Sequence, residues 1–338
     1  MSMLLEARRP QTETKTMVEA IRDALAGEMR RNPRVIVLGL DVGIKGGVFG
    51  VTRGLVQEFG EARVIDTPLA ESAIAGVAVG AAAAGLRPVA EIQFADFVFP
   101  AMDQIINEAA RLRYRTNGQL GCPLVIRVPY GGGVRGGLYH SQSVEAYFCH
   151  VPGLKVVAPA TPSDAAGLLI SAIRDPDPVL FLEHKKLYRL GREEVLADGL
   201  ETPIGLAVIR RPGEDVTVLG YGLMLHRSLE AAQLLEPEGI DAEVIDLRTL
   251  APLDRGTIIG SVEKTGKLLI VHEDNKTGGL GAELAALVAE EAFSYLDAPV
   301  LRVGGPDVPA MPFSEPLERA FLPDTERIAA AVRWLAAY

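Results

Sequence analysis

The sequence predicts an α/β protein of two domains, each with a mostly parallel sheet faced by helices, and three observations carry that prediction. At 338 residues the chain exceeds one ordinary domain, and each of two domains has enough residues to bury its own core. Short apolar runs alternate with helical stretches in two successive series, the pattern of βαβ units. A polar stretch, Arg192 to Thr202, breaks the alternation and reads as a linker. Residues 1–15 are then expected to be a flexible tail, 16–191 the first domain and 203–338 a smaller second one.

The first series begins with Thr16 and Glu19, spaced as a capping box. Val18, Ile21, Leu25 and Met29 follow at helical spacing, so a helix starts near Met17. Val35 to Leu38 reads as a buried strand, and Gly43 to Gly50 as a loop at its carboxyl end, where α/β sheets form ligand sites. Small residues dominate Glu71 to Ala84. Gly76 and Gly80 share one face there and Gly85 serves as a C-cap, so this helix can approach another backbone closely. Strands are predicted at Val89–Ile92, Leu124–Val128 and Val179–Glu183, with helices near Ala101–Arg115 and Ser163–Arg174. The second series places strands near Val216–Gly220, Ala242–Asp246 and Leu268–His272. Its helices fall near Leu223–Leu235, Gly281–Glu290 and Thr325–Ala336.

A formal charge of −10 argues against nucleic acid as a partner, because phosphate binding needs clustered Lys and Arg. Cys122 and Cys149 are the only cysteines and have no CxxC spacing, so neither a disulfide scaffold nor a thiolate zinc site is expected. The first residues lack the apolar run of a secretory signal, and Ala73 to Ala84 is too short to span a bilayer. The expectation is a cytoplasmic protein that does not contact the membrane.

Three segments could carry chemistry. Glu71, after Pro68, falls in the first turn of the small-residue helix, where a carboxylate suits the helix dipole; an ordinary acidic first-turn residue explains it equally well. Gln93, Phe94 and Phe97 stand at the carboxyl end of a strand, where a planar ring could stack and hydrogen-bond, although core packing also accounts for the aromatics. Gly131–Gly133 and Gly136–Gly137 lead to His140, a residue suited either to proton transfer or to a structural hydrogen bond. The other four histidines show no metal-ligand spacing and are read as structural. Ser141 and Ser143 lie outside any GxSxG elbow. Leu284 occupies the third glycine position of a dinucleotide fingerprint, which disfavours a nicotinamide enzyme. Lys185, Lys186 and Arg189 could bind an anion or simply form a solvated face.

Taken together, GGVFGVTRGL (46–55), DTPLAESAIAG (66–76), EIQFADFVFPAMDQIINEAARLRYR (91–115), HSQSVEA (140–146) and EVIDLRTLAPLD (243–254) resemble a known family over nearly the full length. That family is the beta subunits of the decarboxylating component of 2-oxo acid dehydrogenase complexes, in the transketolase-like superfamily. EIQFADFVFP and LYHSQS look more like the branched-chain enzymes than the pyruvate enzymes.

The resemblance implies a thiamine diphosphate-binding fold: a pyrimidine-binding domain with a parallel sheet, followed by a transketolase C-terminal-like α/β domain. It implies that Glu71 hydrogen-bonds a nitrogen of the cofactor's aminopyrimidine and so activates the thiazolium. Leu69, Gln93 and Phe97 match positions lining the pyrimidine pocket. His140 matches a histidine serving proton transfer and reductive acylation of a lipoyl group. The implied reaction is oxidative decarboxylation of a branched-chain 2-oxo acid, with acyl transfer to lipoyl-lysine of an acyltransferase core.

The superfamily's magnesium-diphosphate motif, GDG followed by NN, is missing from the sequence. Mg²⁺ and the diphosphate are therefore expected on an alpha subunit, in an α2β2 tetramer active only when both chains are present. Leu40 replaces a glutamate that the family commonly has in GEDVG, so weaker coupling between paired active sites is expected unless Asp41 or water compensates. The alternatives are a pyruvate or acetoin dehydrogenase beta subunit and a catalytically decayed assembly subunit.

Overall fold

The computed structural model describes residues 12–196 and 199–338. In chain order the first half contains β1 (Thr12–Lys15), α1 (Met17–Arg31), β2 (Val35–Gly39), α2 (Leu55–Phe59), β3 (Val64–Asp66), α3 (Glu71–Ala83), β4 (Arg87–Glu91), α4 (Leu112–Arg115), β5 (Val125–Tyr130), α5 (Glu145–Cys149), β6 (Lys155–Val157), α6 (Pro162–Arg174), β7 (Val179–His184) and β8 (Glu193–Leu196). The second half contains β9 (Val208–Arg211), β10 (Val216–Gly220), α7 (Leu223–Leu235), β11 (Ala242–Asp246), β12 (Thr249–Ala251), α8 (Arg255–Thr265), β13 (Leu268–Asn275), α9 (Leu280–Glu291), β14 (Leu301–Gly305), α10 (Glu315–Phe321) and α11 (Thr325–Ala336).

Strands β12-β6-β7-β5-β4-β2-β3 form a seven-stranded sheet, and β14-β13-β10-β11-β9 a five-stranded one. The pairings are parallel except at one edge of each sheet, where β12 runs antiparallel to β6 and β9 antiparallel to β11. Alternation along β2 shows why the larger sheet needs helices on both faces. Val35 and Val37 pack into one apolar layer with α1 and α6, while Ile36 and Leu38 pack into the other with α3. Helix α1 starts where its capping box dictates: Thr16 N–H donates to Glu19 Oε2 (2.8 Å), and Glu19 N–H donates to Thr16 Oγ1 (3.4 Å).

Three expectations are corrected. Residues 12–15, read as part of a flexible tail, instead form β1, paired antiparallel with β8; residues 1–11 lie outside the described residues. The same pairing gives the expected linker, 192–202, an ordered strand at Glu193–Leu196, while its residues 197–198 lie outside the description. The single helix expected over 101–115 is broken into 3-10 turns around Pro100, a π-helical stretch at Gln104–Ala109 and the short α4. Ala110 N–H donates to Ile105 O at 3.0 Å, an i→i−5 bond that hydrophobic spacing cannot distinguish from an α-helical one.

Strand β12 also departs from a simple two-domain picture, since it comes from the second half of the chain yet completes the edge of the first sheet.

Candidate active site at the carboxyl ends of the first sheet

The segments that carry the expected site residues all follow the carboxyl ends of parallel strands. The loop after β2 is shaped by glycine: Gly46 and Gly47 have φ of 79° and 74°, in the left-handed region that other residues avoid. Gly43 N–H donates to Asp66 Oδ1 (2.7 Å) and Thr52 Oγ donates to Val42 O (2.7 Å), so the loop is tied both to the end of β3 and to itself. Leu40 is half-buried and its carbonyl accepts from Gln93 Nε2 at 3.3 Å. Asp41 pairs with Lys45 at 3.0 Å.

Glu71 opens α3 and is half-buried, whereas Leu69 is 71% exposed. Both follow β3, the edge strand of the sheet. Gln93 and Phe97 follow β4, two strands in, and His140 ends the glycine loop after β5. The structure brings Phe97 and His140 together, with ring centroids 5.4 Å apart at 82°, and adds Phe94 at 4.5 Å and 85°. Gln93 is tied to Leu40, while Glu71 and Leu69 stand to one side at the sheet edge. Among the described residues, Gly76 and Gly80 of α3 meet no second backbone. A Cβ at Gly80 would meet nothing within 4 Å, and one at Gly76 only the Gln104 side chain at 3.5 Å.

The glycine loop is held from the second half of the chain, a feature the sequence did not reveal. Glu273, at the end of β13, accepts from Gly132 N–H with Oε1 and from His184 Nε2 (2.8 Å) with Oε2. Lys186 N–H donates to His184 Nδ1 (3.3 Å), which fixes the imidazole proton on Nε2, facing Glu273. Burial works against the Glu273 charge, but His184 and the Gly132 N–H hold its carboxyl below the ordinary range. Glu318 on α10 accepts from Gly133 N–H (2.9 Å) and Arg135 N–H (3.0 Å). Two buried carboxylates thus fix the backbone that leads to His140. The acidic pair Glu273-Asp274, one residue beyond the apolar run Leu268–Val271, was the one sequence signal that could have pointed to Glu273.

Beneath the site, Arg127 lies fully buried between Glu91 (2.5 Å) and Glu183 (2.6 Å), and Tyr188 OH donates to Glu183 at 2.6 Å. This network fixes the ends of β4, β5 and β7. Among the other histidines, His226 bonds Ala160 O (2.8 Å), and His272 Nδ1 donates to Asp274 O (3.0 Å), with burial pushing the His272 pKa down to about 4. The basic cluster divides, since Lys185 is buried and Lys186 and Arg189 are exposed. Both cysteines are free thiols. Among the described residues, no helix is long and apolar enough to cross a membrane.

A parallel α/β sheet with a histidine, an amide, aromatics and a carboxylate at its carboxyl end, joined to a second α/β unit that reaches into the same loop, fits the transketolase-type architecture that the resemblance implies. Family models agree: the transketolase pyrimidine-binding domain matches residues 13–191, and the transketolase C-terminal domain matches 205–328. The chain is 56% identical to the 2-oxoisovalerate dehydrogenase subunit beta of Bacillus subtilis, covering 95% of this chain and 98% of that protein. It is 50% identical to the pyruvate dehydrogenase E1 component subunit beta of the same organism, covering 94% and 97%. A solved structure titled split gene transketolase, inactive beta4 tetramer, superposes with a TM-score of 0.77 at 28% identity, covering 95% of this chain and 98% of that one. The chain belongs to the family of 2-oxo acid dehydrogenase beta subunits, a thiamine diphosphate-using branch of the transketolase-like proteins.

Proposed function

We propose that this chain is the beta half of a cytoplasmic, thiamine diphosphate-dependent dehydrogenase that decarboxylates a branched 2-oxo acid and passes the acyl group to lipoyl-lysine on an acyltransferase core. The observation that carries the reading is the packing of Phe97 on His140 at the sheet's carboxyl end, the end from which Gln93 and the half-buried Glu71 also follow their strands. The residues present fit a planar, nitrogen-bearing ring: a carboxylate and an amide to hydrogen-bond it, an aromatic to pack on it and Leu69 to flank it. Three buried polar atoms, Asp96 Oδ1, Ser141 Oγ and Ser143 Oγ, have no partner among the described residues and lie in the segments after β4 and β5, as polar atoms do where a site is completed by another molecule.

Bound there, thiamine diphosphate supplies the electron sink that makes loss of carbon dioxide feasible. Glu71 holds a proton at the aminopyrimidine, Leu69, Gln93 and Phe97 orient the ring, and His140 moves a proton at the acyl-transfer end. The chain has no GDG…NN motif, which supports placing the diphosphate and Mg²⁺ on an alpha subunit, in an α2β2 tetramer that completes the site. The higher identity to the 2-oxoisovalerate enzyme favours branched over unbranched substrates.

Co-purification with candidate alpha chains, followed by thiamine diphosphate titration with Mg²⁺, tests the assembly. Turnover of branched 2-oxo acids, pyruvate and acetoin then tests the substrate. Glu71→Ala is expected to lower turnover at least about 100-fold, the scale of general acid–base catalysis. Unchanged turnover in that variant would favour an assembly subunit instead.

A further inference from the structure

Charge that the proposed chemistry leaves unused is buried beside His140. Lys185, the first residue after β7, is 4% exposed, and its Nζ has no hydrogen-bond partner among the described residues. It stands 5.8 Å from the centroid of the Phe94 ring. Asp96 sits in the turn after β4; its Oδ2 accepts from Gln142 N–H at 3.4 Å, and its Oδ1 is buried with no partner among the described residues. Phe94 and Phe97, on either side of Asp96 in sequence, both pack edge-on against the His140 ring. Ammonium, carboxylate and imidazole are therefore gathered around one aromatic cluster. The charges that act on Lys185 are Asp96 and Glu273, and Glu273 is already committed to His184 and Gly132.

Isolated buried charges of this kind are costly. Burial pushes Lys185 down to about 8 while Asp96 and Glu273 resist, and burial pushes Asp96 up while Lys185 resists. Each therefore sustains the other's charge without a closed ion pair among the described residues.

We propose that Asp96 and Lys185 are positioning residues that set the charge on His140, the carboxylate favouring the imidazolium and the ammonium opposing it. The inference rests on the proposed acyl transfer. In that step the S–S bond of the lipoyl group breaks, and one sulfur bonds the acyl carbon through the electron pair left by carbon dioxide. The other sulfur takes the imidazolium proton and becomes a thiol; the acyl carbon's bond to the cofactor then breaks, its electron pair returning to the cofactor as the hydroxyl proton passes to the now neutral His140. A histidine held too strongly in either form would fail, as base or as acid, and opposed neighbouring charges keep it between those limits.

The chain has five histidines, so ¹³Cε1-histidine labelling of the full-length protein gives a resolvable titration, with the His140 signal assigned by its loss in His140→Gln. Asp96→Asn is expected to lower the His140 titration midpoint and Lys185→Met to raise it. The double variant should return close to the parent, as two opposed and additive contributions would. No shift, or shifts of the same sign, overturns the proposal. Asp96→Asn changes almost no volume and carries the test alone if Lys185→Met does not fold. In the assembled enzyme, the pH profile of lipoyl acylation should move with the titration midpoint. Decarboxylation followed with an artificial electron acceptor should not; equal loss of both rates with no pH shift counts against the pair. The titration needs no turnover, so an enzyme inactive on every 2-oxo acid would sink the functional reading while the charge coupling was still measured.

Discussion

Replacing Glu273 with glutamine turns one acceptor of the loop clamp into a donor. Its two oxygens accept from Gly132 N–H and His184 Nε2–H, so an amide NH₂ must face one donor or the other. Moving the His184 proton to Nδ1 offers no escape, because Lys186 N–H already donates there. One buried donor is stranded and a charge-assisted bond is lost, which together cost about 2–3 kcal/mol. Urea denaturation of Glu273→Gln against the parent at neutral pH reads this directly. The difference should narrow toward acid. The Glu273 carboxyl is held below its ordinary range, so its contribution is complete above the unfolded-state value and is lost as pH falls through the folded one. The loop also carries His140, and a displacement of about 1 Å at a reacting group can lower a rate on the order of 100-fold. Lipoyl acylation should therefore fall further than global stability alone explains, with near-normal cofactor affinity. A stability loss under about 0.5 kcal/mol, set against the hydrogen-bond scale above, would show that the clamp is not what fixes the loop.

Arg127→Met should destabilise the chain by about 3–5 kcal/mol, because Glu91 and Glu183 would face each other buried and uncompensated. Adding Glu183→Gln should recover part of the loss in the same denaturation assay. Glu145 is fully buried, accepts from Tyr221 OH at 2.7 Å, and is pushed up to about 8 by burial and then by Asp274. The folded state thus keeps a proton that the unfolded state releases, and stability declines as pH rises from about 4.5 through 8. Glu145→Gln should flatten that slope in Tm measured from pH 5 to 9; an unchanged slope would remove Glu145 as its source. Gly131→Ala should be destabilising whatever the side-chain adjustments, since φ is +84° and the added Cβ would run into the His184 ring. Native-like thermal stability in that variant would contradict the loop geometry.

Where local signals decide the structure, the sequence was legible. The Thr16–Glu19 box fixed the start of α1, an unbroken apolar run marked β2, and apolar-rich runs broken only by Thr217 and Glu243 marked β10 and β11. Strands β3, β6 and β12 have three residues each and no pattern of their own; they exist because a neighbouring strand offers hydrogen bonds. The π-helical stretch at Gln104–Ala109 shares its apolar spacing with an α-helix, so periodicity alone predicted the wrong element. Within the site, His140 stood out because glycines precede it. Lys185 was hidden in what looked like an exposed basic run, and only the fold separates it from Lys186.

The residues that sequence reading missed share a cause, and it bears on how the two halves divide their work. Glu273 and Glu318 are more than 130 residues from the loop they hold, so no local spacing could connect them to Gly132 or Gly133. A loop with three consecutive glycines has little intrinsic preference for one conformation, and its order must come from partners outside it. Those partners are carboxylates of the second half, and β12 of that half also closes the first sheet's edge. The second α/β unit is thus a structural part of the candidate site rather than an appendage. Separating the halves near residues 199–205 should leave the first sheet foldable only with an unsatisfied edge at β6 and an unfixed approach to His140.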